Sequence, residues 1–142
     1  MYISDIDEAS KKALKTAFIY LLISFFCILF GAVYEKFSHE VYSFYMIYAF
    51  VFPLAGGTLH FFMIALSKAE KYYPGVFAES IYHSGIATLT VGSILHGVLD
   101  IYGTSNRLLI LYWIIGAVLT IVGAILINEM QIKEIFDRII NN

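Results

Sequence analysis

Charged residues are missing from four long stretches of this 142-residue chain, and this distribution constrains the fold more than any other feature. The stretches cover residues 16–34, 41–67, 80–99 and 108–128, and contain 19, 27, 20 and 21 residues. A helix needs about 20 residues to cross the hydrocarbon of a bilayer. Only 14% of all residues are charged, against about 25% in an average soluble domain. The sequence therefore predicts an integral membrane protein.

The predicted fold is all-α: a four-helix antiparallel transmembrane bundle that forms one domain over residues 1–142. Short connections between the charge-free stretches place consecutive helices side by side and antiparallel. The expected spans cover residues 16–34, 41–67, 79–100 and 108–128. Residues 129–142 form an amphipathic tail, because Ile132, Ile135, Phe136 and Ile139 recur at helical spacing.

Lysine and arginine predict the orientation, since the richer side of a multi-pass protein stays in the cytoplasm. The N-terminal segment, the second connection and the tail carry seven of them: Lys11, Lys12, Lys15, Lys68, Lys71, Lys133 and Arg138. The first and third connections carry only Lys36 and Arg107. We therefore expect both termini to be cytoplasmic, in a cytoplasmic membrane.

Several classes of protein are disfavoured by the residue types. Cys27 is the single cysteine, which excludes an intrachain disulfide and Cys-x-x-Cys redox chemistry. A net charge of −2 leaves no basic face for nucleic acid. No carboxylate, lysine or arginine lies deep in a span, and no Ser-His-Asp order, phosphate loop or HExxH pattern is present. These observations favour a protein that is not an enzyme, without excluding an enzyme.

Small residues predict how the spans pack. Pro53, followed by Gly56 and Gly57, predicts a kink in the second span near residues 50–53. Two glycines seven residues apart lie on one face of the third span, and two more repeat that spacing on the fourth: Gly85, Gly92, Gly116 and Gly123. Such stripes let membrane helices approach closely. The four glycines indicate either this helix pair or a homodimer face.

A turn centred on residues 103–104 would place residues whose numbers sum to about 208 at equal depth. This register pairs Gly85 with Gly123 and Gly92 with Gly116. It also predicts interhelical hydrogen bonds between Thr88 and Thr120, and between His96 and Tyr112.

The third span is the polar one, so we expect it to be the least lipid-exposed helix. We predict a small polar pocket along it, formed by Ser84, Thr88 and Ser93 with Thr120 and Tyr112 of the fourth span.

Histidines are the candidate cofactor ligands. His60 and His83 lie at similar depth next to glycines, the arrangement that a b-type haem requires. His96 and Asp100 share a face one turn apart, which suits a divalent metal ion. The alternative in both cases is no cofactor, with neutral histidines hydrogen-bonded to protein groups, and we favour this alternative.

Two segments carry a resemblance: residues 42–53 (YSFYMIYAFVFP) and, more distinctively, residues 84–104 (SGIATLTVGSILHGVLDIYGT). The chain resembles small four-span integral membrane proteins of Gram-positive anaerobic bacteria that carry no assigned function. The resemblance implies the architecture and transfers no site.

The sequence leaves three functions open. The first is a non-catalytic membrane protein that self-associates or serves as a subunit of a membrane complex. The second is a b-type haem electron carrier that uses His60 and His83. The third is a metal-dependent membrane enzyme with an outer-face site at His96 and Asp100. The expected partners are the lipid bilayer and a second copy or another membrane protein, and not nucleic acid.

Overall fold

The computed structural model describes residues 2–66 and 75–142. Five α-helices and one π-helix follow one another in the described chain: α1 (Tyr2–Phe37), α2 (Phe44–Ile47), the π-helix (Phe52–Leu59), α3 (His60–Leu66), α4 (Val76–Ile101) and α5 (Leu109–Ile140). The described residues contain no strand. The second connection, with Lys68 and Lys71, lies outside them.

Four helical segments are long and apolar enough to cross a membrane, as predicted: Glu8–Phe37, Phe44–Leu66, Val76–Ile101 and Leu109–Met130. Most large apolar side chains on them are exposed, for example Phe18, Phe26 and Ile121. Apolar surface of this extent is not stable against water, whereas lipid covers it without cost. We call the segment Phe44–Leu66, which combines α2, the π-helix and α3, span two.

Helix α1 packs on span two through a narrow stripe. Its buried residues follow one another at alternating intervals of four and three: Ala13, Ala17, Tyr20, Ser24, Cys27 and Gly31. The ring of Tyr20 lies directly on Gly57, and Gly31 lies against Met46. Residue numbers that rise along one helix and fall along the other show that the pair is antiparallel.

Span two is interrupted rather than simply kinked. The chain leaves the α-helix after Ile47, and the π-helix begins one residue before Pro53. Proline donates no backbone hydrogen bond and its ring displaces the preceding turn, so the backbone widens here. The widened segment brings Gly56 against Ile86 of α4 and Gly57 against Tyr20 of α1.

The α4–α5 hairpin is the closest helix pair, and its register differs from the predicted one. Gly85 faces Thr120, Gly92 faces Tyr112, Gly116 faces Leu89 and Gly123 faces Tyr82. Equal-depth residue numbers therefore sum to about 205, not 208, and no glycine faces a glycine. All four glycines lie in this interface, so they do not form a separate homodimer face.

The helices form an open array, with each helix antiparallel to the next. Span two lies between α1 and α4, and α5 packs on α4 alone among the described helices. We call the end where both chain termini lie the terminal end, and the end with residues 38–43 and 102–108 the hairpin end. Helix α4 is the most buried of the four spans, because 33% of its most apolar 18-residue segment is buried. This agrees with the prediction that the polar third span is the least lipid-exposed.

Candidate functional site

A groove separates α1 from α4 on one side of span two. Among the described residues, no Cα atom of α1 lies within 8 Å of one in α4, because span two holds the two helices apart. The gap encloses about 480 Å³ in the terminal half of the molecule. Its walls come from α1 and α4, and Pro53 of span two forms part of its floor. The lining residues are Thr16, Ile19, Tyr20, Ile23, Pro53, His83, Ile86, Ala87, Thr90 and Val91. This volume falls within the range of small-molecule sites.

Three side chains connect the groove to the terminal end of α4. The hydroxyl of Tyr20 is hydrogen-bonded to Nδ1 of His83, and Nε2 of His83 lies 3.1 Å from Oε1 of Glu79. Glu79 and His83 are one turn apart on α4, so the helix itself sets their contact. Because His83 and Tyr20 line the groove, a carboxylate at the terminal end is linked to the groove by hydrogen bonds.

Aromatic stacking fixes these side chains. The fully buried Phe61 stacks on both neighbours, with ring centroids 5.2 Å from His83 and 6.0 Å from Tyr20. The ring of Tyr20 also packs directly on Gly57, in the space that a side chain at residue 57 would occupy. These ring contacts place the Tyr20 hydroxyl next to His83.

The proposed haem pair is separated by an aromatic ring. Phe61 contacts both imidazoles: its ring centroid lies 5.4 Å from that of His60 and 5.2 Å from that of His83. Both nitrogen atoms of His83 have protein partners. His60 stacks on Tyr82 instead, at 4.8 Å, and its Nε2 is buried with no hydrogen-bond partner. A haem held by both histidines would have to displace Phe61 and break one of the two bonds of His83.

The proposed metal pair is also occupied by protein contacts. The ring of His96 stacks on that of Tyr45, with centroids 3.7 Å apart. Trp113 donates a hydrogen bond of 3.4 Å from its Nε1 to Nδ1 of His96. Asp100 accepts a hydrogen bond of 2.7 Å from Ser43. Among the residues that the structure describes, no group of three His, Cys, Asp or Glu could hold a metal ion. The predicted bond from Tyr112 to His96 is replaced by that of Trp113.

The hydroxyls predicted to line a polar pocket do not meet in one cavity. Ser84, Thr88 and Thr120 each donate to the carbonyl four residues earlier in their own helix, so Thr88 and Thr120 do not bond to one another. Ser93 donates to the Tyr45 carbonyl of span two, and Tyr112 covers Gly92. The groove lies instead on the α4 face that carries His83, Ala87 and Thr90.

Two residues of the hydrogen-bonded group at the groove, Tyr20 and Glu79, were not predicted as site residues. Tyr20 has the appearance of an ordinary interfacial tyrosine, although it continues the buried stripe of α1. Glu79 borders the charge-free part of the third span and precedes His83 by one turn, which is the signal that sequence could have provided.

No protein-family model, curated protein or solved structure matches this chain. The site is therefore interpreted from its own geometry.

Proposed function

We propose that this chain is a non-catalytic, multi-pass membrane protein that binds an apolar molecule from the bilayer in the groove between α1 and α4. One observation carries the proposal: a cavity of about 480 Å³ lies between two membrane-spanning helices and has a fixed polar group at one end. Lipid-soluble molecules enter such a gap sideways, without crossing water. The groove is a different site from the polar pocket expected at Ser84, Thr88, Ser93, Thr120 and Tyr112, none of which lines it.

Blocking the groove tests the proposal. Ala87 is exposed and lines the groove, so tryptophan at this position fills it. Ala32→Trp adds the same side chain at an exposed position of α1 that does not line the groove. The full chain is extracted in mild detergent, and its bound small molecules are identified by mass spectrometry. Wild type and Ala32→Trp should retain a molecule that Ala87→Trp loses. Equal retention by all three would overturn the proposal.

We also propose that the chain associates with a second copy through the end of α5. This helix continues ten residues past the span that ends at Met130. Four apolar side chains on the extension, including Ile140, are 60–70% exposed, and three of them follow heptad-like spacing: Ile132, Phe136 and Ile139. Polar residues such as Lys133 and Asp137 lie between them. A stripe of this kind is buried when two copies pair as a coiled coil.

The oligomeric state tests this second proposal. Phe136→Ser should shift the full chain toward monomer in sedimentation measurements, and Asp137→Ser, the adjacent residue, should not. A wild-type monomer at all concentrations would contradict self-association. With both termini proposed to be cytoplasmic, such a pair would form on the inner side of the bacterial membrane.

A further inference from the structure

A second cavity lies between α1 and α4 at the hairpin end. It encloses about 540 Å³ and is lined by the last turns of α1, by the first two residues after α1, and by Ile101 of α4 with the adjacent Tyr102. The α1 residues in its wall are Phe30, Val33, Tyr34 and Phe37. The groove in the terminal half thus has a counterpart in the opposite half of the molecule.

The two cavities lie on the same face of each helix. Along α1, residues spaced by seven line first one cavity and then the other: Thr16 and Ile23, followed by Phe30 and Phe37. Along α4, Ala87 and Ile101 are two heptads apart, which is close to a whole number of helical turns. No Cα atom of α1 lies within 8 Å of one in α4 among the described residues. Both cavities therefore belong to one groove beside span two.

This groove extends across the hydrocarbon of a membrane. From Thr16 to Phe37, helix α1 rises by about 32 Å, and a hydrocarbon core is about 30 Å thick. A lipid tail that enters from one leaflet ends near the bilayer centre, so it fills one cavity only. A single molecule that fills both cavities is linear and as long as the hydrocarbon is thick.

Polar atoms lie at both ends of the groove. The hydrogen-bonded pair of Tyr20 and His83 lies at the terminal end. At the hairpin end, Tyr34 forms part of the wall next to Phe30, and the centroids of their stacked rings are 6.0 Å apart. A phenol hydroxyl donates one hydrogen bond and also accepts, so it suits a small polar group such as a ligand hydroxyl.

We infer, on the basis of the binding function above, that the occupant is a rigid, linear molecule that spans the membrane in this groove. One polar end lies next to Tyr20 and His83, and the other is hydrogen-bonded to Tyr34. A dihydroxycarotenoid belongs to this class, because it is a straight polyene with a hydroxyl at each end. Such a molecule is extended before it binds, whereas a flexible chain of equal length loses conformational freedom when it is held straight.

Blocking each cavity separately shows whether one molecule occupies both. Val33 is 56% exposed and lines the hairpin-end cavity, so Val33→Trp obstructs it. Ala32→Trp, at the adjacent exposed position outside the lining, is the control. The full chain in nanodiscs is equilibrated with vesicles that contain zeaxanthin. Visible absorption then measures the zeaxanthin that the re-isolated nanodiscs retain above empty ones.

Val33→Trp and Ala87→Trp should each lose most of the zeaxanthin that wild type and Ala32→Trp retain. Full retention by Val33→Trp, or no retention by wild type, would overturn the spanning occupant and leave the groove function intact. The groove function itself fails only if Ala87→Trp copurifies with the same small molecules as wild type.

A second pigment separates the hydrogen bond at Tyr34 from packing. β-Carotene has the same polyene length as zeaxanthin but no hydroxyls. Tyr34→Phe should weaken zeaxanthin binding about fivefold, the effect of one net hydrogen bond, and should leave β-carotene binding unchanged. Equal losses for the two pigments, or no loss for either, would show that Tyr34 bonds no ligand hydroxyl and would overturn the inference.

Discussion

At the scale of single residues, several buried hydroxyls in the described part of the chain are hydrogen-bonded to backbone carbonyls. Ser24 and Thr90 bond to the residue four positions earlier, and Ser93 bonds across to span two. Lipid offers no competing partner, so each unsatisfied group is costly. His60 is the exception among the histidines, because its buried Nε2 has no partner.

His60→Phe is expected to stabilise the fold by about 1 kcal/mol, since an unsatisfied buried nitrogen costs about 1–3 kcal/mol. Phenylalanine keeps the ring that stacks on Tyr82 and removes the polar atom. The measurement is unfolding of the purified chain by SDS in mixed micelles. A clear loss of stability would show that Nε2 binds a group that is essential to the fold, a haem included.

Tyr20→Phe should destabilise the chain by about 1 kcal/mol in the same assay, because one hydrogen bond to His83 is lost while the ring stays on Gly57. Tyr102→Phe is the matched control. Tyr102 is 83% exposed at the hairpin end, so the same change there should have no effect. Equal stability of Tyr20→Phe and wild type would mean that the bond to His83 contributes nothing.

The sequence predicted the polar helix but not the partners of its polar groups. Hydroxyls at Ser84 and Thr88 bond within their own helix, which composition cannot distinguish from bonds between helices. Likewise, His96 lies within reach of Tyr112 and Trp113, which are adjacent in sequence. Only the angular position of α5 decides that Trp113 makes the bond.

At the scale of helices, the α4–α5 contact depends on backbone approach. A Cβ atom at residue 123 would lie 2.7 Å from the Cα of Tyr82, and backbone atoms cannot move aside as a flexible side chain can. The glycine spacing indicated either this helix pair or a homodimer face, and the structure has all four glycines between α4 and α5.

The predicted register of the α4–α5 hairpin was wrong by three residues, because the turn between the two helices is asymmetric. Gly103, two residues past the end of α4 at Ile101, has φ +78°; Thr104 donates to the Leu99 carbonyl and Gly103 donates to the Asp100 carbonyl. This glycine cap reverses the chain directly after Tyr102. The axis of the hairpin thus lies nearer to residue 102 than to residue 104, which the sequence alone does not specify.

Gly123→Ala should destabilise the fold by about 1–3 kcal/mol, the usual cost of overpacking. Gly31→Ala is the matched comparison with a milder clash, since its added Cβ would meet the Met46 carbonyl oxygen at 3.3 Å. Both changes favour helix by the same intrinsic amount, so their difference reports the interface. If the two variants unfold at the same SDS concentration, α4 and α5 are further apart than described.

At the scale of the whole molecule, the open array explains why a groove exists. A closed bundle would bring α5 against α1, but among the described helices α5 packs on α4 alone, and span two lies between α1 and α4. The number and length of the spans follow from the charge-free stretches. The order in which helices neighbour one another does not, because lipid accepts the apolar faces of open and closed arrays equally.

Orientation in the membrane is a property of the whole chain, and the lysine and arginine distribution predicts both termini in the cytoplasm. The test uses single cysteines in a Cys27→Ala background, with intact cells and a maleimide that cannot cross membranes. Ser105→Cys, in the exposed connection between α4 and α5, should be labelled from outside. Asn142→Cys, at the exposed end of α5, should be labelled only after lysis. Wild-type Cys27 is 4% exposed within α1 and serves as the unlabelled control. The reverse pattern would place the carboxylate of Glu79, and the polar end of the groove, on the outer side of the membrane.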